Sequence, residues 1–112
     1  MDDDLVASGR VMRIETTGRV TGRRARAVVG FAEREDGAMV IAAGSPDASW
    51  GRNLLEHAAC RVTIADATWA ADARPLQGAE HAAAVRDLIL RYGTPAEGLG
   101  AGPSFELRRV AR

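Results

Sequence analysis

The stretch Thr16-Thr17-Gly18-Arg19-Val20-Thr21-Gly22-Arg23-Arg24-Ala25-Arg26 carries the ingredients of an anion site. Glycines free backbone N–H groups to turn toward an anion, while Arg and Thr side chains close around it. It is not the nucleotide P-loop, because the Gly-x-x-x-x-Gly-Lys-Ser/Thr spacing is absent and the turn leads into a strand rather than a helix. On these residues alone, the segment is either a phosphate cradle or a solvated hairpin tip. A basic hairpin can also grip a nucleic-acid backbone. Against that stand a net charge of zero and only two Trp, one Tyr and two Phe, none interleaved with the arginines.

A second group lies in Ser45-Pro46-Asp47-Ala48-Ser49-Trp50-Gly51-Arg52-Asn53-Leu54. Trp50 and Asn53 are three residues apart, so on a helix the indole and the amide leave from one face. Either Trp50 anchors the core, or a planar ring packs on the indole while the amide bonds its polar edge. His57 and His81 have no carboxylate or thiol at a telling spacing, and no Ser stands in a nucleophile elbow. Cys60 opens an apolar strand and reads as a small buried hydrophobe. If the chain does enzymatic work, the missing acid, base, nucleophile and metal set imply that a bound cofactor supplies the chemistry, and redox work fits that shortage.

The elements that would position these groups are mostly short strands. Alternation predicts a strand over Val11 to Thr16 and a mostly apolar one from Ala25 to Glu33, a hairpin with the Arg-rich turn at its tip. Asp36-Gly37 is a tight-turn signal before Met39 to Ala43. Gly44 to Asp47 breaks that strand and offers N-cap oxygens to a helix over Ser49 to His57. Arg61 to Ile64 and Thr68 to Arg74 form a second hairpin across Asp66-Ala67. Gln77 to Tyr92 is a helix with a stripe at Ala82, Val85, Leu88 and Ile89, closed by Gly93 and Pro95. Gly98 to Gly102 reads as a flexible connector before a closing strand over Ser104 to Val110. About six antiparallel strands and two helices favour a small β-barrel over a parallel βαβ fold.

The chain has 112 residues, of which 46% are hydrophobic and 27% charged, the balance of one soluble domain spanning 1–112. Residues 1–9 are expected to be a flexible or helical arm. All fifteen basic residues are Arg. A lone Cys excludes an intramolecular disulfide, and no Cys or His pair has metal-ligand spacing. The acidic Met1-Asp2-Asp3-Asp4 start and the lack of a long apolar run predict a cytoplasmic protein without a membrane span.

Thr16-Thr-Gly-Arg-Val-Thr-Gly-Arg-Arg, Trp50-Gly-Arg-Asn-Leu and Tyr92-Gly-Thr-Pro-Ala-Glu, in this order and spacing, resemble the deazaflavin-dependent nitroreductase and quinone reductase family. The resemblance covers roughly residues 10 to 110. It implies a split β-barrel of the flavin mononucleotide-binding type, a reduced 8-hydroxy-5-deazaflavin coenzyme (F-420), and hydride transfer to a quinone, nitroaromatic or other planar unsaturated acceptor. It places the family's turn on Thr17, Gly18, Arg19 and Gly22 and its basic strand entry on Arg24 and Arg26. With Thr21, these would hold the coenzyme's phosphate and acidic tail. Trp50, Asn53 and Leu54 would wall the ring pocket from the helix side, so that the two groups face one cleft. Val20 stands where a Lys often follows the Gly-Arg pair, and the loop between Ala43 and Trp50 is shortened. Flavin mononucleotide in the same barrel, or a non-catalytic module for a planar ligand, are the alternatives. Tyr92 and Ser45 are proton donors by type only, and a small barrel with strand edges to cover is expected to pair as a homodimer.

Overall fold

The computed structural model describes residues 2–110. Among them the chain forms α1 (Asp2–Ala7), β1 (Met12–Thr17), β2 (Arg24–Val29), β3 (Ala32–Glu33), β4 (Met39–Ala42), α2 (Ser49–Glu56), β5 (Ala59–Ile64), β6 (Ala67–Leu76), α3 (Gly78–Tyr92), a 3-10 helix (Thr94–Ala101) and β7 (Ser104–Arg109). The strands make one antiparallel sheet in the order β2-β1-β5-β6-β7-β4-β3. The strands at its two edges, β2 and β3, are consecutive in the chain, so the sheet curls back on itself. This is the mainly β split-barrel architecture expected from the sequence.

Alternation sets the inner face. Met12, Ile14 and Thr16 of β1 point inward, while Arg13, Glu15 and Thr17 take the other face. Inward residues from every long strand join Phe31, Phe105 and Leu54 in one core. A second, smaller core (Ala32, Val40, Ala42, Leu76, Ala84, Leu88, Ala96) packs α3 and the 3-10 helix onto the outside of β3 and β4.

The differences from expectation have local causes. Ala25 to Glu33 is two strands rather than one, giving seven, because the chain breaks at Gly30-Phe31 where Tyr92 intrudes. The Tyr92 Oη accepts from the Phe31 N–H at 3.0 Å and donates to the Arg10 carbonyl at 2.6 Å. A Cβ on Gly30 would lie 2.9 Å from Tyr92 Cε2, so the ring requires glycine there. The presumed connector is the 3-10 helix, held by buried Ala96 and by Leu99 packed on the second core. The α3 face that is buried centres on Ala84 and Leu88, and Ala82 is exposed. The N-cap of α2 is Ala48, without a side-chain cap; Ser45 Oγ instead accepts from the Asp47 N–H. The arm is helical over α1, tied at Val6, whose carbonyl accepts from the Ala65 N–H.

Outside the sheet, buried Glu106 accepts from Arg34 and Arg108 and pairs with Arg74. Arg74 also bridges to Glu80 of α3, and Arg108 to Asp36 in the β3–β4 turn. Charges of both signs thus clamp α3 to the barrel wall. Among the described residues, no helix is long and apolar enough to cross a membrane.

Candidate functional site

The β1–β2 hairpin and the start of α2 meet at one end of the barrel. The turn is closed by Gly18 N–H to the Arg23 carbonyl (2.7 Å), Gly22 N–H to the Gly18 carbonyl (2.9 Å) and Arg23 N–H to Thr21 Oγ1 (3.2 Å). Gly22 has φ +73°, a left-handed conformation that glycine adopts without strain, and a Cβ on Gly18 would sit 2.9 Å from the Arg23 carbonyl oxygen. The glycines therefore serve the turn's own closure. Four of its N–H groups, those of Gly18, Arg19, Gly22 and Arg23, are engaged within the protein. An anion here would be met mainly by side chains.

Asn53 joins this turn to the helix. It is 3% exposed. Its Oδ1 accepts from the Arg19 backbone N–H (3.1 Å) and from Arg19 Nη1 (2.8 Å), and its Nδ2 donates to Thr16 Oγ1 (3.1 Å). Arg19 Nη1 also reaches the Ser49 carbonyl at 3.4 Å, so the guanidinium lies against the first turn of α2. Trp50, one residue on, is half-buried and tilts against Phe105 with ring centroids 6.1 Å apart. The structure thus brings Thr16, Gly18, Arg19 and Asn53 together beside the first turn of α2, which carries Trp50, whereas Thr17 lies on the opposite face of the hairpin with Glu15 and Arg24.

Arg24 and Arg26 leave the opposite face of the hairpin. Both pair with Glu15 across the ladder, Arg24 Nη1 at 3.0 Å and Arg26 Nε at 3.1 Å. Burial pushes the Glu15 carboxyl up. The hydrogen bond from Arg26, the charges of both arginines and the bond from Arg24 outweigh it and hold the group below the usual carboxylate range. Beside them a cleft of about 230 Å³ is lined by Glu15, Thr17, Arg24, Ala59, Arg61 and Ala70. Arg23, Thr21 and Val20 sit exposed at the tip.

Sequence reasoning missed Glu15 and Arg61, and it gave Thr16 no role beyond opening the Gly- and Arg-rich segment. The hairpin register was the available signal for the first, since it sets Glu15 opposite Arg26. Nor did spacing reveal that His81 Nδ1 lies 2.6 Å from Ser104 Oγ while Nε2 lies 3.1 Å from the Gly100 carbonyl. A carbonyl needs a donor, so Nε2 carries the proton and Nδ1 accepts from the hydroxyl. Ser104 is 1% exposed, which makes this a tie between α3, the 3-10 helix and β7 rather than an accessible nucleophile. Of the two proton-donor candidates, the Tyr92 hydroxyl is spent on Arg10 and Phe31, and Ser45 Oγ on its own turn. Cys60 is buried with its thiol pushed up to about 12 by burial and then by the Asp72 charge.

Several solved structures share this architecture. A structure of an F420-H2 dependent reductase (FDR-A) superposes with a TM-score of 0.74 at 22% identity, covering 88% of this chain and 94% of its own. A domain-swapped dimer gives 0.73 at 20%, covering 95% and 92%. The haem storage protein HutZ from Vibrio cholerae gives 0.74 at 16%, covering 98% and 88%. At these identities the likeness shows the fold alone. No curated protein sequence matches the chain. The family model of the F420-H2-dependent quinone reductases, however, matches residues 5–94, and by that match over most of its length the chain belongs to this family of oxidoreductases.

Proposed function

We propose that the protein is a deazaflavin-dependent reductase that passes a hydride from reduced F-420 to a quinone or a similar flat, unsaturated acceptor. Family membership supports the coenzyme and the acceptor class, and it lends nothing to the flavin mononucleotide alternative. The observation that carries the reading is the lock of Arg19 onto the first turns of α2, through the Ser49 carbonyl and Asn53, on the helix that also carries Trp50.

When bound, the coenzyme supplies the hydride. The chain's own residues bind and orient. The Arg19 guanidinium keeps N–H groups beyond Nη1 for a phosphate, which a planar fork can meet bidentately. Arg24 and Arg26, with Arg61 across the cleft, provide positive charge for an acidic tail. Trp50 offers an apolar wall for a ring, and positioning with exclusion of water does the catalytic work. With Tyr92 and Ser45 engaged elsewhere, solvent provides the proton that completes the product.

The test is a titration of F-420 and of flavin mononucleotide into the apo-protein in a Trp69→Phe background, so that fluorescence reports Trp50. An Arg19→Ala/Arg24→Ala variant runs alongside. Micromolar binding of the deazaflavin that the variant loses supports the reading, and binding of neither compound ends it. Pairing with a second copy is part of the proposal, because β2 has one unpaired edge and a structural neighbour is a domain-swapped dimer. Light scattering that shows a monomer throughout the micromolar range would remove that part.

A further inference from the structure

The resemblance casts Asn53 as a wall of the ring pocket, yet its geometry gives it a different task. The side chain is 3% exposed, both lone-pair directions of Oδ1 are taken by Arg19, and Nδ2 is bound to Thr16 Oγ1, itself 2% exposed. Little of the amide remains to meet a ligand. We infer that Asn53 is a positioning residue: it fixes Arg19 at both its backbone and its guanidinium so that the fork is set for a phosphate before the coenzyme arrives.

The chain of contacts is continuous. Thr16 is the inward residue of β1 just before the turn, Asn53 is on the buried face of α2, and Arg19 is on the far side of Gly18. Thr16 Oγ1 accepts from Asn53, and its own proton is directed at the Ala25 carbonyl across the hairpin, 3.5 Å away. The amide therefore has a defined orientation, with Oδ1 facing the arginine. Nη1 is shared between Asn53 Oδ1 and the Ser49 carbonyl, which holds one corner of the guanidinium and leaves the other donors outward. An exposed Arg left free would have to surrender its rotamer freedom on binding; here that ordering is already done in the fold. A Lys could not take this role, because an ammonium has no fork to hold at one corner and present at another.

The inference rests on the proposed coenzyme for the identity of the ligand, so its test has a ligand-free arm. In the first arm, amide hydrogen exchange follows the Arg19 N–H in wild type, Asn53→Ala and Thr16→Val. Asn53→Ala is expected to speed exchange at Arg19 by tenfold or more while β1 and β5 amides hold, with a smaller effect in the same direction for Thr16→Val. In the second arm, dissociation constants are measured for F-420 and for phosphate-free 8-hydroxy-5-deazariboflavin. Asn53→Ala is expected to weaken the phosphate-bearing ligand roughly tenfold and the phosphate-free one less than about twofold, with little further loss on adding Arg19→Ala. Equal weakening of both ligands overturns the inference, because a general structural defect or a direct ring contact would do that. Unchanged exchange at Arg19 overturns it too. If Asn53→Ala does not fold, the volume-conserving Thr16→Val variant decides by the same two readouts. Wild type that binds neither compound sinks the coenzyme reading and this one with it. The exchange arm tells that failure apart from failure of the tie itself.

Discussion

Tyr92→Phe removes one oxygen and leaves the ring that packs over Gly30. The lost atom accepts from the Phe31 N–H at 3.0 Å and donates to the Arg10 carbonyl at 2.6 Å. The Arg10 carbonyl keeps a second donor, Arg91 Nη2 at 3.3 Å, but among the described residues the Phe31 N–H has no other hydrogen-bond partner across the gap between β2 and β3. One part-buried donor is left unpaired, which should destabilise the fold by about 1–3 kcal/mol. For a chain of this size, that corresponds to a fall in Tm of about 4–12 °C. The assay pairs thermal unfolding by circular dichroism with steady-state turnover at saturating coenzyme and acceptor. A lower Tm with kcat held within about twofold is expected at a temperature where the variant stays folded. If instead Tm is unchanged and kcat drops by about a hundredfold or more, the range of a lost general acid, then the hydroxyl reaches the reacting atoms and its assignment as a structural tie is refuted.

Gly30→Ala should destabilise by about 1–3 kcal/mol, since the new methyl meets a ring held at its far end, and combining it with Tyr92→Ala should give less than the sum of the two losses. Glu15, Asp36 and Glu80 all ionise below their ordinary values, Asp36 through the Ala38 N–H and then Arg108, Glu80 through Arg74. Depressed carboxyl values give stability that is complete above the unfolded value near 4 and is lost as pH falls through the folded ones, so Tm should be flat above about pH 5 and decline below about pH 4. Glu15→Gln should soften that decline. At pH 8, with its thiol pushed up to about 12, Cys60 should be almost entirely in the thiol form and react with a disulfide reagent far more slowly than a free cysteine; labelling of the native protein as fast as that of a free cysteine would contradict its burial.

β1 and β2 were legible because one face of each lies toward the core, which a period of two records directly, while β4, buried on both faces, was legible as a short apolar run after a turn. The Asp36-Gly37 turn was legible for a local reason as well: Gly37 has φ +88° and Asp36 Oδ1 accepts from the Ala38 N–H. What the sequence hid depends on distant contacts. The break at Gly30 follows from a tyrosine 62 positions away. The run Ala27-Val28-Val29-Gly30-Phe31-Ala32 reads as continuous strand until that ring is placed. The phase of α3 slipped for a similar reason, since Ala-rich sequence offers several stripes and only the packing on Val40 and Ala42 chooses Ala84 and Leu88. At the site, residue types marked the hairpin and α2 separately, and only the family resemblance set them facing one cleft. They could not say that Asn53 faces Arg19 rather than a ligand.

The arginines of the hairpin show why residue type alone overstates an anion site. Five lie between Arg19 and Arg26 or across the cleft at Arg61, and three of them already have partners in the folded chain: Asn53 and Ser49 hold Arg19, and Glu15 holds Arg24 and Arg26. The two kinds of partner act differently. A neutral amide and a carbonyl orient Arg19 without reducing its charge, so its attraction for an anion survives and its ordering is done in advance. A carboxylate also orients Arg24 and Arg26, but it competes with any incoming anion for the same N–H groups. Those pairs are exposed on the arginine side and are worth little by themselves, so a doubly charged phosphate or a carboxylate tail can share or displace them at small cost. Selectivity would then follow from geometry. A ligand that meets only Arg24 and Arg26 gains little over Glu15, whereas one long enough to reach Arg19 as well engages a guanidinium whose orientation is fixed and which, among the described residues, pairs with no carboxylate.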